Sequence, residues 1–185
     1  YEMGFLMYFS KYFLRRSLPS AVFEVSGKSG KTVDDFLAYN KIEKFCIDSR
    51  SVKKNFAFIA LEGNKVDGHN FLHEALEKGA IALVLEKHKK SLLKSVPKKL
   101  LSGKLIIWVD DTLKALVELA KHWRMNFDYP VIGITGSIGK TTTKQMLMSI
   151  LQVAKFPAYV SFKNQNTIIG LSLNILNMRD DHQAA

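Results

Sequence analysis

Residues 131–151 read VIGITGSIGKTTTKQMLMSIL, and this stretch indicates the fold class most directly. It predicts a short apolar strand over 131–135, a glycine-bearing loop over 136–139, and a helix with apolar side chains at helical spacing. A strand, loop and helix in this order can bind phosphate, because glycines let the backbone turn its N–H groups inward beside a helix N-terminus. The stretch therefore predicts an α/β protein with a nucleotide-binding loop.

The candidate phosphate-binding residues run from the loop into the first turn of the helix. They are Gly136, Ser137, Ile138, Gly139, Lys140, Thr141 and Thr142. The Lys140 ammonium would reach the β- and γ-phosphates of ATP, and the Thr141 hydroxyl would bind Mg²⁺. The common pattern has a further glycine five residues before the Gly-Lys pair, where this chain has Ile134. A glycine-rich turn with a chance lysine is therefore the alternative.

A second Gly-Lys-Thr sequence lies upstream, at residues 30–32. Lys28 and Lys31 would repel each other around so small a loop, and the helix that follows is predicted to end near Tyr39. We interpret this segment as a basic turn, so substitution of Lys31 should leave ATP binding intact.

The composition is that of a globular chain. Its 185 residues include 27 Lys and Arg against 17 Asp and Glu, a formal net charge of +10. This length allows one domain, or one domain and part of another. A single cysteine, Cys46, excludes an intrachain disulfide and a cysteine-rich zinc site, and its apolar neighbours predict a core position. A cytoplasmic location is the default expectation.

Much of the positive charge lies between Lys87 and Lys104. Such a run suggests a polyanionic partner, and a basic nucleic-acid-binding module is one alternative reading. Nucleic-acid grooves, however, interleave basic residues with aromatic side chains or arginines, and this run contains neither. We therefore interpret it as a solvated face and expect no nucleic-acid partner.

The chain divides into three predicted segments. Residues 1–25 are an apolar and basic N-terminal segment, whose first 16 residues are too short to span a bilayer. We expect these to pack as a helix on the protein, with peripheral membrane contact as the alternative. Residues 26–128 form a first domain, and the break at 127–130 starts a second region, 129–185.

Short apolar strands alternate with helices through the first domain, which predicts a mainly parallel α/β arrangement. Strands are predicted at 22–25, 45–47, 56–61, 81–85 and 105–109. A capping box of Thr32 and Asp35 begins one helix, and further helices are predicted over 69–78 and after Asp111.

Several motifs together resemble the Mur ligase family, whose members build the peptide stem of bacterial peptidoglycan. Residues 134–144 resemble the family's ATP loop. Residues 48–52, 56–63, 67–71 and 109–116 resemble its UDP-binding N-terminal domain, and residues 164–170 resemble an Asn-rich segment of its ATPase domain. The resemblance covers about residues 45–176.

The resemblance implies an ATP-dependent carbon–nitrogen ligase. Within the family, Lys144 and the segment that begins at Asn164 are most similar to the branch that joins D-alanyl-D-alanine to UDP-MurNAc-tripeptide through an acyl phosphate. The implied cofactors are ATP and Mg²⁺, with Lys140 and Thr141 as catalytic residues. The branch that adds the third stem amino acid is the alternative, and a nucleoside kinase would not explain residues 48–50.

The resemblance also implies an architecture: a small UDP-sugar-binding α/β domain, followed by the start of a parallel-sheet P-loop ATPase domain. The chain would then bind substrates, as a monomer in the cytoplasm, without ligating them alone. The implied UDP-sugar contacts are Ser49, Arg50, Asn64, Lys65, Val66, Asp67, Asn164 and Asn166. For Arg50 the alternative is an ion pair with Asp48 or Asp67, and we expect His69 to face solvent.

Overall fold

The computed structural model describes residues 9–27, 32–64, 66–161 and 167–185. The strands are β1 (Val22–Val25), β2 (Lys44–Cys46), β3 (Phe56–Ile59), β4 (Ala82–Glu86) and β5 (Leu105–Val109). The helices are α1 (Lys11–Ser17), α2 (Val33–Tyr39), α3 (Leu72–Glu77), α4 (Lys98–Leu101), α5 (Thr112–Arg124), α6 (Lys140–Val153) and α7 (Ile168–Ile175). Three 3₁₀ segments cover Ser49–Ser51, Gly68–Phe71 and Lys87–Ser95. Over the described ranges, every helix is too short or too polar to cross a membrane.

The strands form one sheet in the order β1-β5-β4-β3-β2. Strands β2 to β5 run parallel, with Ala57 beside Ala82 and Ala82 beside Leu105. Strand β1 runs antiparallel to β5 and places Val22 opposite Trp108. The predicted mainly parallel α/β fold is confirmed, and the antiparallel edge strand is an addition that periodicity did not indicate.

Alternate residues of the central strands enter two hydrophobic cores. One face of β4 and β5 presents Val84 and Ile107 to a core that includes α1, α2 and α5. The other face presents Leu83 and Ile106 to a core that includes α3 and α4. Every residue of both strands is buried, as expected for parallel strands covered on both faces.

The N-terminal helix packs on the first of these cores. Leu14 is fully buried, and the ring of Phe9 lies 4.2 Å from that of Trp123 on α5. The expectation that this segment packs on the protein is therefore confirmed for residues 9–17, whereas residues 1–8 lie outside the described residues.

In the described part of residues 129–185, fewer backbone hydrogen bonds join separate segments than in the sheet. The extended segments 130–132 and 157–159 both pair with the last residues of the chain, through bonds such as Ile132 N–H to the Ala185 carbonyl at 2.7 Å and Tyr159 N–H to the Ala184 carbonyl at 2.8 Å. The strand predicted over 131–135 is wrong as a hydrogen-bonded strand. Its first two residues are extended beside Ala185, and the rest is irregular, because backbone pairing in the described chain stops at Ile132.

Polar contacts join this region to the sheet. The Trp123 indole N–H donates to the Met178 carbonyl at 3.0 Å, and α5 and α7 pack against each other. The Arg179 guanidinium lies 5.9 Å from the Phe9 ring centroid and donates to the Glu43 carbonyl at 3.2 Å. Burial lowers the pKa of Arg179 from its ordinary value, although nearby acids favour its charge.

Candidate functional site

The loop before α6 has a backbone that only glycine adopts easily. Gly136 has φ +144° and Gly139 has φ +85°, and Gly139 caps the N-terminus of α6. The first helical hydrogen bond runs from the Thr143 N–H to the Gly139 carbonyl at 2.8 Å. The amides of residues 140–142 therefore precede the helical ladder, at the end of a 14-residue helix where anions are favoured.

The side chains of this loop agree with anion binding. The Lys140 ammonium donates to the Gly136 carbonyl and so lies over the loop. Ile138 is 94% exposed, so its side chain does not hold the loop in place. No acidic residue occurs between residues 131 and 155. An ammonium, a hydroxyl at Thr141 and helix N-terminal amides are the donors that a nucleotide phosphate with Mg²⁺ requires, and the loop fits that group.

Lys144 ties the same helix to the segment after 157–159, because its ammonium donates to the Ser161 carbonyl at 3.1 Å. The predicted contacts Asn164 and Asn166 follow directly, but they lie outside the described residues, as do Lys28 and Lys31 of the upstream Gly-Lys-Thr sequence.

The second group of predicted residues begins in the β2 turn, residues 48–51, which follows β2. Asp48 caps this turn and accepts three hydrogen bonds from Arg50: from its backbone N–H at 3.0 Å, from Nε at 2.9 Å and from a terminal nitrogen at 2.9 Å. The bonds from the guanidinium hold the pKa of Asp48 below its ordinary value. The ion pair with Asp48 is thus present, and the Arg50 side chain remains 80% exposed.

Ser49 has an internal partner that the sequence did not suggest. Its hydroxyl is buried and donates to a carboxylate oxygen of Glu74 on α3 at 2.6 Å. The Lys78 ammonium bonds to the other Glu74 oxygen at 2.9 Å and to the Arg50 carbonyl at 3.1 Å. Glu74 and Lys78 therefore fix the β2 turn on α3.

The third group lies in the β3 turn, residues 62–64 and 66–68, which follows β3; Lys65 lies outside the described residues. Glu62 and Asp67 face each other across an antiparallel bridge, and the Gly63 N–H donates to the Val66 carbonyl at 3.0 Å. A Cβ on Gly68 would lie 2.8 Å from the backbone of Leu61, so glycine is required there. Asn64 and Val66 are exposed at the tip of the turn.

Asp67, the acidic residue among the predicted contacts, accepts three hydrogen bonds. It accepts from the His69 backbone N–H at 2.9 Å, from the His69 ring at 2.7 Å and from the Lys89 ammonium at 2.6 Å. Partial burial alone would raise its pKa, but these hydrogen bonds outweigh burial and lower it to about 2. Asp67 is therefore a carboxylate throughout the ordinary pH range.

The expectation that His69 faces solvent is wrong. The residue is only 3% exposed, because its ring fills the space between the β3 turn and the end of β4. Its Nε2 accepts from the Glu86 backbone N–H at 3.2 Å, and its Nδ1 bonds to Asp67. One nitrogen must accept and the other donate, so the hydrogen bonds assign the neutral ring protonated at Nδ1.

The predicted core position of Cys46 is confirmed in part. The residue is half-buried, and its thiol donates to the Asp48 carbonyl at 3.1 Å. Burial raises the pKa of the Cys46 thiol, so it is a poor nucleophile.

The β2 and β3 turns both extend from the carboxyl ends of parallel strands, the edge where open α/β sheets bind ligands. A cleft of about 780 Å³ lies beside the β2 turn, between the sheet and α7. Its walls include Asp48 and Ser51 on one side, and Tyr159, Asn174 and Asn177 on the other. The cleft thus lies between the β2 turn and the region 129–185, which carries the candidate phosphate loop, residues 136–142.

The lysine run is only partly a solvated face. Lys87 pairs with Asp110 at 2.9 Å, Lys89 bonds to Asp67, and the Lys90 ammonium lies 5.1 Å from the Trp108 ring centroid. The remaining exposed lysines include Lys94, which lies on the same 3₁₀ segment. Three lysines of the run therefore interact within the protein, which weakens the hypothesis that the run binds nucleic acid.

Two family models match the chain. The model described as the Mur ligase family, catalytic domain, matches residues 41–124, and the Mur ligase middle domain matches residues 134–185. The matches include the β2 and β3 turns in the first case and the phosphate loop in the second.

Relatives with known names agree with both matches. The UDP-N-acetylmuramoyl-tripeptide–D-alanyl-D-alanine ligase of Synechocystis sp. is 37% identical over 146 residues, which are 78% of this chain and 30% of that protein. The UDP-N-acetylmuramoyl-L-alanyl-D-glutamate–2,6-diaminopimelate ligase of Aquifex aeolicus is 39% identical over 117 residues, 60% of this chain and 21% of that protein. The chain thus spans about a third or less of the length of these relatives.

Solved structures show the same fold. A crystal structure of MurF from Acinetobacter baumannii superposes with TM-score 0.73 and 27% sequence identity. The match covers 97% of this chain and 35% of that one. MurF from Thermotoga maritima in complex with ADP superposes with TM-score 0.60 at 35% identity over 76% of this chain and 30% of its own. Sequence and structure agree, and the chain belongs to the Mur ligase family and resembles its MurF members.

Proposed function

We propose that this chain forms the sugar-nucleotide-binding and ATP-binding parts of a ligase that joins D-alanyl-D-alanine to UDP-MurNAc-tripeptide. The observation that carries the proposal is the loop of Gly136 and Gly139, with Lys140 folded over it, at the N-terminus of α6. The same chain presents the β2 and β3 turns at the carboxyl edge of a parallel sheet. Relatives that bear this ligase name support the choice of substrates.

In this proposal the phosphate loop binds and orients ATP. The backbone of residues 136–142 surrounds the phosphates, the Lys140 ammonium neutralises their charge, and the Thr141 hydroxyl holds Mg²⁺. Bound ATP supplies the phosphoryl group that activates the terminal carboxylate of the tripeptide as an acyl phosphate. Phosphoryl transfer needs positioning and charge neutralisation more than covalent chemistry from the protein, which is what this loop offers.

The uridine nucleotide binds at the two turns in the same proposal. The exposed guanidinium of Arg50 carries donors for a diphosphate. Asn64 and Val66 lie in the turn that would contact uridine, and Lys65, which lies outside the described residues, is a further proposed contact. Ser49 and Asp67, whose polar atoms bond internally, hold these turns in place. Asn164 and Asn166 would reach the substrate from the region that carries the ATP loop.

A ligase that adds the third stem amino acid is the second candidate. The Aquifex relative, named a 2,6-diaminopimelate ligase, favours it, although it covers less of this chain than the Synechocystis relative does. The two candidates differ in the nucleotide they accept, since one takes UDP-MurNAc-tripeptide and the other the dipeptide.

Calorimetric titration of the 185-residue chain tests the proposal. We expect binding of Mg-ATP and, separately, of UDP-MurNAc-tripeptide that UDP displaces. Preference for the tripeptide over the dipeptide would support D-alanyl-D-alanine addition, whereas preference for the dipeptide would favour the second candidate. Binding of ATP without any uridine nucleotide would contradict the sugar-nucleotide function.

Lys140→Ala separates the two halves of the proposal. Loss of an ammonium that bonds to phosphate should weaken ATP binding by about 10- to 100-fold and leave UDP binding unchanged. Lys31→Ala, in the upstream Gly-Lys-Thr sequence, is the matched control and should bind ATP normally. Unchanged ATP affinity in Lys140→Ala would remove Lys140 from the site.

The cytoplasmic location and the monomeric state stay predictions, and peripheral membrane contact through residues 1–16 stays the alternative to packing on the protein. Sedimentation of the chain with and without anionic vesicles tests the last two.

A further inference from the structure

One ammonium lies among three carboxylates beside the β3 turn. The Lys89 ammonium lies 2.6 Å from an oxygen of Glu62, 2.6 Å from an oxygen of Asp67 and 3.8 Å from an oxygen of Glu86. The Lys89 side chain is only 13% exposed. Glu62, Glu86 and His88 also place three potential metal-ligand atoms within 4.8 Å of one another. The Lys89 ammonium contacts two of these three residues, Glu62 and Glu86.

The two shorter contacts join both ends of the turn. Glu62 and Asp67 are bridge partners, so their carboxylates face the same narrow opening and would repel each other without a cation. Lys89 reaches them from the segment after β4, which is distant in sequence. It therefore closes the turn from outside, where the hydrogen bonds from Gly63 to Val66 and from Gly68 to Leu61 close it from within.

One further oxygen each of Asp67 and Glu86 connects the turn to the sheet. Asp67 also accepts from His69, and the His69 ring accepts from the backbone of Glu86. A Glu86 carboxylate oxygen accepts from the Thr112 backbone N–H at 3.3 Å, at the start of α5. The turn is thus connected to β4 and α5, while Asn64 and Val66 at its tip stay exposed.

We propose that Lys89 is a positioning residue for the uridine nucleotide: it fixes both ends of the β3 turn so that the exposed tip is held in the shape that binds the ligand. Lys89 itself does not touch the nucleotide. The proposal rests on the proposed sugar-nucleotide function, and it adds a residue that neither the motifs nor the relatives' names assign.

Three variants of the full chain test this role. Lys89→Ala should weaken UDP binding by at least about tenfold, because the turn loses the cation between its two acids. Lys89→Arg keeps the charge and should restore most of the affinity. Lys94→Ala removes the same charge from an exposed position of the same segment and should bind UDP as the unaltered chain does. ATP affinity should be equal in all of them.

Amide hydrogen exchange provides a readout that does not need the ligand. In Lys89→Ala the amides of Gly63 and Gly68 should exchange faster, while the amide of Ile106 in β5 reports unchanged global stability. Unaltered exchange at both glycines together with unaltered UDP affinity would overturn the proposal. If the unaltered chain bound ATP but no UDP, the sugar-nucleotide function would fail, and the exchange at Gly63 and Gly68 would still decide whether Lys89 holds the turn.

Discussion

The sheet region and the region after residue 129 use similar apolar residues with opposite results. Leu83 in β4 is fully buried, because strands flank it on both sides and helices cover both faces of the sheet. In α6, which carries the phosphate loop, no residue is buried, and Ile150 is 64% exposed. Helical periodicity thus gives a helix an apolar face, but burial of that face depends on what lies opposite it.

The β2 and β3 turns and the loop before α6 differ in how well the elements that carry them are packed. The β2 and β3 turns extend from strands whose side chains enter both hydrophobic cores. The phosphate loop is attached to a helix that packs beside an apolar cavity of about 230 Å³, lined by residues such as Leu147, Leu151 and Ile175. We therefore expect the β2 and β3 turns, the proposed sugar-nucleotide side, to be more rigid than the loop proposed to bind ATP.

The largest expected effect is on the sheet. Leu83→Ala leaves a cavity in a two-sided core and should lower the free energy of unfolding by about 2–5 kcal/mol. Ile150→Ala on α6 removes an exposed side chain and should change it by less than about 0.5 kcal/mol. Urea denaturation followed by circular dichroism measures both. Equal losses in the two variants would show that α6 is buried in solution.

Trp123→Phe weakens the connection between the two regions. It removes the indole N–H that donates to the Met178 carbonyl, at a site only 1% exposed, and should cost about 1–3 kcal/mol. Amide exchange should increase in α7 and change little in β4.

Trp108→Phe is the matched control for that experiment, because its indole N–H donates to Glu24 at 2.8 Å, an exposed carboxylate that water can solvate. It should cost less, and it should leave exchange in α7 unchanged. Equal effects of the two substitutions on α7 would contradict a specific connection through Trp123.

Gly139→Ala changes the phosphate loop alone. A Cβ there has open space, so the cost comes from φ +85°, and we expect a loss of roughly 1–2 kcal/mol together with weaker ATP binding. Gly133→Ala has the same open space without a positive φ and should be close to neutral. Thermal melts and ATP titration of both variants measure the difference, and a neutral Gly139→Ala would mean that the loop adopts another backbone in solution.

The smallest expected effect is the pH dependence due to Asp67. Its pKa falls from the ordinary 3.8 to about 2 on folding, so its ionised form stabilises the folded chain. This stabilisation is present above about pH 4 and is lost as the pH falls toward about 2. Because the side chain is partly exposed, we expect Asp67→Asn to cost on the order of 1 kcal/mol at neutral pH and less in acid.

Urea midpoints measured at a series of pH values test that expectation. Asp128→Asn, which removes an exposed carboxylate, is the control variant. A loss for Asp67→Asn that stays constant down to the acid end would show that its carboxylate is not selectively stabilised by folding.

Local sequence signals predicted several elements closely. Strand β5 occupies the predicted residues 105–109, and the capping box at α2 is present, with the Asp35 N–H 3.1 Å from the Thr32 hydroxyl. The glycine and lysine pattern of the phosphate loop likewise predicted its backbone. These features depend on residues within a few positions of one another, so the sequence contains their cause.

The residues that the sequence interpretation missed act across distance. Glu74 bonds to Ser49 from 25 residues away, and Lys89 bonds to Asp67 from 22 residues away. The sequence could not single out Lys89, because it is one of several lysines in the same run and only its surroundings in the folded chain distinguish it. The Asp-Gly-His sequence at 67–69 was the available signal, because an aspartate two residues before a histidine can bond to its backbone N–H and its ring. This local pattern does not determine whether the histidine ring is buried.

Local patterns in the chain were enough to predict the α/β class and the family and to propose a phosphate-binding loop, because periodicity, glycine conformation and motif spacing are local properties. Only the tertiary structure decided that β1 pairs antiparallel with β5, that His69 is buried, and that one lysine of many joins the two ends of the β3 turn. Each of these depends on which groups meet when the sheet assembles. The free energy of a charge or an apolar side chain is set by those neighbours rather than by its place in the sequence.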